Sequence, residues 1–119
     1  MARPGGLVLV GEPYWKRQPE LPYLEAAGIP ANLCSDLHGN VVIGEALGLT
    51  LLYVMPSRVD EWDRYESLQR RAAERYAVTH PDDPDVPEVL AEVRRSTDAY
   101  LRWGRDTLGW AMYLFRVPD

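Results

Sequence analysis

The sequence predicts an α/β fold with three strands and a helical hairpin, and three stretches carry this prediction. A continuous apolar run, Leu7–Val10, follows a turn of one proline and two glycines, and such a run is typical of a buried strand. A helix, a glycine and a second apolar strand follow over residues 35–55, which is the ordinary step of an α/β sheet. Two helical periodicities over residues 57–103, joined by a Pro-Asp-Asp-Pro turn, predict the hairpin.

The first strand is followed at once by residues that could bind a ligand. Leu7–Val10 is apolar without alternation, which predicts a strand covered on both faces. Gly11 ends the run, and Glu12, Tyr14 and Trp15 follow it. Because open α/β sheets bind ligands at the carboxyl ends of their strands, we expect these three side chains to border a ligand site.

A loop-rich connection, residues 16–30, comes next. It contains a short helical segment, Leu21–Ala27, that Gly28 can end. Residues 16–30 are equally consistent with a loop on the substrate side and with a plain surface connector.

The second strand is introduced by a helix of its own. Ser35 or Asp36 can cap a helix that runs to about Leu47, and Gly48 is a natural left-handed stop. Leu49–Met55 then predicts a buried strand, which Pro56 ends. A helical crossover of this kind should bring the second strand parallel to the first.

The hairpin and the last strand complete the chain. Ser57, with Asp60 three residues later, predicts the start of a helix that ends near Thr79. Asp83 can cap a second helix that ends near Trp103. The facing apolar stripes are predicted as Trp62, Tyr65, Leu68, Ala72 and Tyr76 on the first helix and Val86, Val89, Leu90, Val93, Thr97, Tyr100 and Leu101 on the second. Leu108–Val117 is an almost wholly apolar strand, and Pro118 stops it.

Three segments resemble class I S-adenosylmethionine-dependent methyltransferases. Arg3-Pro4-Gly5-Gly6, an apolar strand and then Gly-Glu-Pro-Tyr-Trp at residues 11–15 resemble the fifth-strand region of that family. Glu61–Glu66 and Tyr100–Trp110 are similar to the closing segments of one subgroup. The resemblance covers nearly the whole chain and identifies it as the carboxyl-terminal half of such an enzyme.

The resemblance implies a topology and a cofactor. In the family, the last strand is antiparallel and lies between the previous two, so residues 1–119 would be one unit of a partial Rossmann-like sheet. Residues 57–106 would form a helical lid over the ligand side. The family's Gly-rich cofactor loop and its acidic ribose-binding residue would lie upstream of Met1. The cofactor of the complete fold is S-adenosylmethionine, its substrate is a small molecule, and we expect this chain alone not to bind the cofactor.

The candidate site residues have a functional and a structural interpretation. Glu12 could accept a substrate proton or bind a polar group, and otherwise it is a solvated loop carboxylate. Tyr14 and Trp15 could wall a substrate pocket or plug the end of the sheet. We expect Glu12, Tyr14, Trp15 and Trp62 to face one cavity. The aromatic residues predicted to bind substrate from the lid are Trp62, Tyr65 and Trp103, although aromatic residues at helical spacing are more often core.

Composition excludes several classes of protein. A net charge of −5 over 119 residues argues against a nucleic-acid-binding surface, and no stretch is long and apolar enough to span a membrane. Cys34 is the only cysteine, which favours a reducing compartment and a cytoplasmic location. His38 and His80 lack partners at metal-ligand spacing, so no metal site is predicted.

Two functions follow from these observations. The chain is predicted to be the substrate-side fragment of a small-molecule methyltransferase, inactive without the cofactor-binding half. The alternative is a non-catalytic module that binds a ligand or a partner through its apolar lid and its sheet edge. Because the Leu7–Val10 edge would be unpaired, we also expect homodimerisation through it, or aggregation.

Overall fold

The computed structural model describes residues 3–119, which divide into two units. The sheet unit comprises the chain up to Pro19, Pro30–Ser57 and Asp106–Asp119, and the helical unit comprises Glu20–Ile29 and Arg58–Arg105. The sheet unit holds β1 (Leu7–Trp15), α2 (Leu37–Ala46), β2 (Thr50–Pro56) and β3 (Leu108–Arg116). The helical unit holds α1 (Leu21–Ala27), α3 (Val59–Thr79), α4 (Val86–Ala99) and a π-helical turn, Tyr100–Gly104. A short helical segment, α5 (Arg105–Thr107), follows the turn, and the boundary between the two units falls after its first residue.

The sheet has the predicted topology. The strand order is β1-β3-β2, and β3 is antiparallel to both neighbours. Consequently β1 and β2 run in the same direction, and their carboxyl ends lie at the edge of the sheet where β3 begins, with Trp15 opposite Leu108 and Pro56 opposite Ala111. The prediction of an α/β fold with a central antiparallel last strand is confirmed.

β1 is longer than predicted, and its first residues are covered on one face only. It continues through Gly11 and Glu12 to Trp15, and Pro13 is accommodated because β1 is an edge strand of the sheet. Leu7 and Leu9 are 61% and 56% exposed. The prediction of a strand buried on both faces is therefore wrong for this unit.

The covered face of the sheet packs on α2. Tyr14, Ala111, Tyr113 and Phe115 are buried there, and Leu37 and Val41 of α2 are among the half-buried side chains packed against them. Gly44 of α2 lies against the ring of Phe115: a β-carbon at this position would be 2.6 Å from Phe115 Cζ. Gly44, although glycine is a poor helix former, therefore permits the close approach of α2 to β3.

The opposite face of the sheet is apolar and largely uncovered. The pairing register places Leu7 and Leu9 of β1 on the same face as Tyr53 and Met55 of β2. All four side chains are at least 40% exposed. Between Leu51 and Tyr53 the register shifts at a β-bulge, which makes Leu52 the extra residue.

Helix ends follow local signals with small shifts. Gly28, at φ 68°, ends α1, and the Asp36 side chain accepts a hydrogen bond from the Gly39 N–H, as predicted. α3 begins two residues after Ser57, because the Glu61 carboxylate accepts the backbone N–H of Arg58 in place of the predicted Ser57–Asp60 pair. α4 begins at Val86 rather than at Pro84, since the Asp83 carboxylate accepts the Asp85 N–H within the turn.

The surface between the hairpin helices is mixed in polarity. α3 and α4 border one groove whose lining includes Glu66, Gln69 and Thr97, and Arg94 of α4 pairs with Glu74 of α3. Tyr65 and Leu68 are instead 60% and 51% exposed. Only part of the predicted apolar stripe of α3 therefore faces α4. Periodicity identifies an apolar stripe, but it does not say on which side of the helix the partner helix packs.

Candidate functional site

The sheet unit carries Glu12 inside β1 rather than in a loop beyond it. Glu12 is opposite Ala111 and shares the α2-facing side of the sheet with Tyr14 and Tyr113. The Glu12 side chain is exposed, and no ion pair to it is found among residues 3–119. A solvent-accessible carboxylate near the carboxyl end of β1 can accept a proton or bind a donor.

Tyr14 and Trp15 are both buried, each 8% exposed within the structure. The Tyr14 ring lies over Gly109, where a β-carbon would be 2.5 Å from Tyr14 Cζ. Trp15 points to the opposite face of the sheet from Tyr14 by strand alternation, and its Nε1–H donates to the Ala31 carbonyl at 3.0 Å. Within the sheet unit, both rings are therefore packed against other residues at the carboxyl end of β1.

Asn40 joins α2 to the end of β1. Its Nδ2 donates to the Pro13 carbonyl at 3.0 Å and to the Tyr113 hydroxyl at 2.9 Å. Sequence reasoning missed Asn40, although the signal was present: residues 37, 40, 41 and 44 form the sheet-facing stripe of α2, and Asn40 is the polar residue among them. The amide holds the backbone next to Glu12.

Glu12 acts electrostatically on two neighbouring groups. Burial raises the pKa of the Tyr113 hydroxyl, and the negative charge of Glu12 raises it further, while the hydrogen bond from Asn40 acts in the opposite direction. Burial, then Glu12, raises the pKa of the Cys34 thiol. Both effects favour the protonated form of the Cys34 thiol.

The segment after β1 is tied to the start of β3. The Lys16 N–H donates to the Thr107 carbonyl at 2.7 Å, and Arg17 Nε donates to the Thr107 hydroxyl at 3.3 Å. Thr107 is 1% exposed. These bonds hold the segment after β1 against the residue that precedes β3.

The helical unit carries the other three predicted site residues. Trp62 is half-buried and its ring centroid is 6.5 Å from that of the exposed Tyr65. Trp103 is half-buried, and its ring centroid is 6.4 Å from the ring centroid of Tyr23. The Arg102 guanidinium lies 4.6 Å from the ring centroid of Trp103. Glu12, Tyr14 and Trp15 belong to the sheet unit, so the shared cavity with Trp62 stays a prediction.

A polar cluster that the sequence did not reveal lies beside Trp62. Asp63 Oδ1 accepts hydrogen bonds from the Tyr100 hydroxyl at 2.7 Å and from Arg105 Nε at 2.9 Å, and Asp63 Oδ2 accepts from Arg105 Nη2 at 3.1 Å. Burial and the bond to Asp63 raise the pKa of Tyr100. Both partners of Asp63 are far from it in the sequence, at 37 and 42 residues.

Comparisons with known proteins agree with the fold. No family model matches the chain. The uncharacterized protein YjhP of Escherichia coli strain K12 is 31% identical over 115 residues, which cover 93% of this chain and 46% of YjhP. The X-ray structure of YjhP superposes with a TM-score of 0.90 at 28% identity, covering 98% of this chain and 48% of that chain.

Two further structures carry a functional description. A SAM-dependent methyltransferase from Geobacter sulfurreducens, in complex with S-adenosyl-L-homocysteine, has a TM-score of 0.87 at 28% identity over 98% of this chain and 47% of that chain. The fold is that of the class I S-adenosylmethionine-dependent methyltransferases. A methyltransferase from Thiobacillus denitrificans, also with S-adenosyl-L-homocysteine, has a TM-score of 0.85 at 26% identity over 95% and 46%. The chain thus spans about half the length of these methyltransferases.

The two strand-to-helix connections that follow β1 and β2 carry no glycine. A Gly-rich turn between a strand and a helix is the usual cofactor cradle of an open α/β sheet, yet residues 16–20, between β1 and α1, contain no glycine. Ser57 and Arg58, between β2 and α3, contain none either. Among residues 3–119, no group of three or more His, Cys, Asp or Glu side chains could hold a metal ion. In the same part of the chain, every helix is too short or too polar to cross a membrane.

Proposed function

We propose that this chain is the substrate-side part of a SAM-dependent small-molecule methyltransferase and is inactive without a cofactor-binding half. The observation that carries the proposal is the likeness to two methyltransferases bound to S-adenosyl-L-homocysteine, of which the chain matches about half. Residues 16–20 and 57–58, which connect β1 and β2 to the helices that follow them, contain no glycine. This supports the proposal that another part of the complete enzyme binds the cofactor.

In this proposal Glu12 is the catalytic residue. Its exposed carboxylate hydrogen-bonds the methyl acceptor or takes its proton, and positioning dominates the catalysis. Asn40 acts as a positioning residue, because it holds the Pro13 carbonyl beside Glu12. Tyr14 and Trp15 in the sheet unit, and Trp62, Tyr65 and Trp103 in the helical unit, bind substrate, with the helical unit as the lid.

The test compares cofactor binding by the chain and by a completed protein. The chain is fused to the part of the Geobacter sulfurreducens methyltransferase that it does not match, and both proteins are titrated calorimetrically with S-adenosyl-L-homocysteine. We expect binding by the folded fusion and none of low-micromolar affinity by the chain alone. Low-micromolar binding by the chain alone, or a well-folded fusion that does not bind, would contradict the proposal.

A second function is supported by the exposed apolar surface. Leu7, Leu9, Tyr53 and Met55 are the kind of side chains that a partner would cover, so a non-catalytic partner-binding module is the alternative. A fusion that folds but binds no cofactor would favour this alternative. We also propose a cytoplasmic location, since Cys34 is a free thiol.

A further inference from the structure

The Tyr113 hydroxyl uses only part of its hydrogen-bonding capacity within the sheet unit. It lies 2.9 Å from Asn40 Nδ2, and the same nitrogen donates to the Pro13 carbonyl at 3.0 Å. Because a carbonyl oxygen can only accept, the Asn40 atom between the two groups is the amide nitrogen, and both of its hydrogens are used. The Tyr113 hydroxyl is therefore the acceptor of this bond, and its own proton points elsewhere.

The Tyr113 proton needs an acceptor inside the protein. Among residues 3–119, the hydroxyl has the bond from Asn40 and no group that accepts its proton. Tyr113 is 1% exposed, so it is enclosed by the sheet unit itself, whatever else a complete methyltransferase contains. Since a buried donor without an acceptor is destabilising, we expect a neighbouring group to turn toward it.

Glu12 is the neighbour best suited to accept this proton. Three polar groups lie close enough to Tyr113 to act electrostatically on its hydroxyl, namely Tyr14, Glu12 and Cys34. An ionised carboxylate is the only one of these groups that has no proton of its own, and charged acceptors form the stronger bonds. Glu12 is opposite Ala111, two residues before Tyr113 on β3, so the two side chains are diagonal neighbours on one face of the sheet.

We propose that Tyr113 is a positioning residue for Glu12, whose carboxylate turns toward the sheet and accepts the Tyr113 hydroxyl proton. In the structure the Glu12 side chain is exposed, and within the described residues no hydrogen bond holds it. Rotation of this side chain satisfies both groups at once. Asn40 and Tyr113 then link the Pro13 carbonyl to the Glu12 carboxylate, so the same two side chains hold the backbone and the acid at the carboxyl end of β1.

The bond fixes the direction of the carboxylate, and this consequence rests on the proposed function. One carboxylate oxygen is bound to Tyr113, while the second is free to accept a proton from the methyl acceptor. A carboxylate that is already oriented has less freedom to lose when the acceptor binds. Tyr113 acts through Glu12 and does not touch the substrate. The bond itself can be measured in this chain, so its failure is distinct from a failure of the fusion to bind the cofactor.

Proton NMR of the chain tests the bond directly. A buried phenolic proton donated to a carboxylate gives a slowly exchanging downfield resonance, and its absence from Tyr113→Phe assigns it. We expect Glu12→Gln to move this resonance upfield, because an amide oxygen is a weaker acceptor than a carboxylate. Glu45→Gln, which removes an exposed carboxylate of α2, should leave it unchanged. A Tyr113 proton that exchanges too fast to be observed, or that Glu12→Gln does not shift, would overturn the proposal.

A double-mutant cycle separates the bond from the other contacts of the two side chains. Tyr113→Phe and Glu12→Gln each remove one partner with little change of shape, and urea unfolding measures the single and double variants. Because the bond can be lost only once, we expect the double variant's unfolding equilibrium constant to be about fivefold or more below the value that additive effects give. The cycle of Tyr113→Phe with Glu45→Gln is the matched control and should be additive. Additive behaviour in both cycles would exclude the bond.

Discussion

Tyr100 and Arg105 lie five residues apart and donate to the same carboxylate, that of Asp63. In an α-helix, residues five apart point about 140° away from each other. The π-helical turn from Tyr100 to Gly104, in which the Arg105 N–H bonds the Tyr100 carbonyl, brings them to one side. The turn thus has a structural role in the helical unit, namely to place two donors on Asp63.

Asp63→Ala should destabilise the helical unit by about 1–3 kcal/mol, because the nearly buried Tyr100 hydroxyl would lose its acceptor. Asp98→Ala is the control, since its pair with Arg102 is 3.6 Å long and exposed, and should cost about 0.5 kcal/mol or less. Urea unfolding of the two variants measures the difference. Equal stabilities would show that the Asp63 cluster contributes no more than a surface pair.

Glu74 should make the hairpin sensitive to acid. Hydrogen bonds from Arg94 and then Arg70 lower the pKa of its carboxyl group from the ordinary 4.5 to about 2. A lowered carboxyl pKa contributes stability that is present above about pH 4.5 and is lost as pH falls through about 2. Thermal midpoints of wild type and Glu74→Gln should therefore differ at pH 6 and converge near pH 2. A difference that does not change with pH would contradict this assignment.

Glu12→Gln should make the Cys34 thiol easier to ionise. Burial is the larger cause of its raised pKa, and the charge of Glu12 is the second, so removing that charge lowers the pKa without returning it to that of a free thiol. The pH profile of alkylation by iodoacetamide should shift to lower pH in Glu12→Gln. The profile should not shift in Glu45→Gln, which removes an exposed carboxylate of α2. Identical shifts in both variants would argue against proximity of Glu12 to Cys34.

Gly44→Ala should destabilise the sheet unit although alanine is the better helix former. The gain in helix propensity is about 1 kcal/mol, whereas overpacking against the Phe115 ring costs about 1–3 kcal/mol. In a Phe115→Leu background the same substitution should cost at least about 0.5 kcal/mol less, since the ring is gone. Additive effects in this double-mutant cycle, measured by urea unfolding, would refute the contact.

Local signals in the sequence were enough for much of the fold. Gly28 and Asp36 mark helix ends that the structure confirms, and the resemblance to the methyltransferases supplied the central position of β3. The full length of β1 was missed because Glu12 and Pro13 are untypical of a strand interior, and an edge strand tolerates both.

Long-range polar contacts were beyond sequence reasoning. For Asp63, helical spacing reveals only the neighbours at i+3 and i+4 as partners. Its actual partner Tyr100 is 37 residues away, and the π-helical turn that brings in Arg105 has no reliable sequence signal. Asn40 could have been noticed as a polar residue on the sheet-facing stripe of α2, although its partners could not.

In the sheet unit, two glycines each lie against an aromatic ring, so the size of the residue at each glycine position is coupled to the size of the ring. Gly44 faces Phe115 and Gly109 faces Tyr14, each closer than a β-carbon permits. A larger residue at either glycine can be inherited only together with a smaller ring partner, so these positions should change jointly among related sequences. An alignment of relatives would then show two pairs of covarying positions, 44 with 115 and 14 with 109. Their covariation would reflect how closely α2 packs on β3 and how closely the Tyr14 ring of β1 lies over β3, and not a catalytic role.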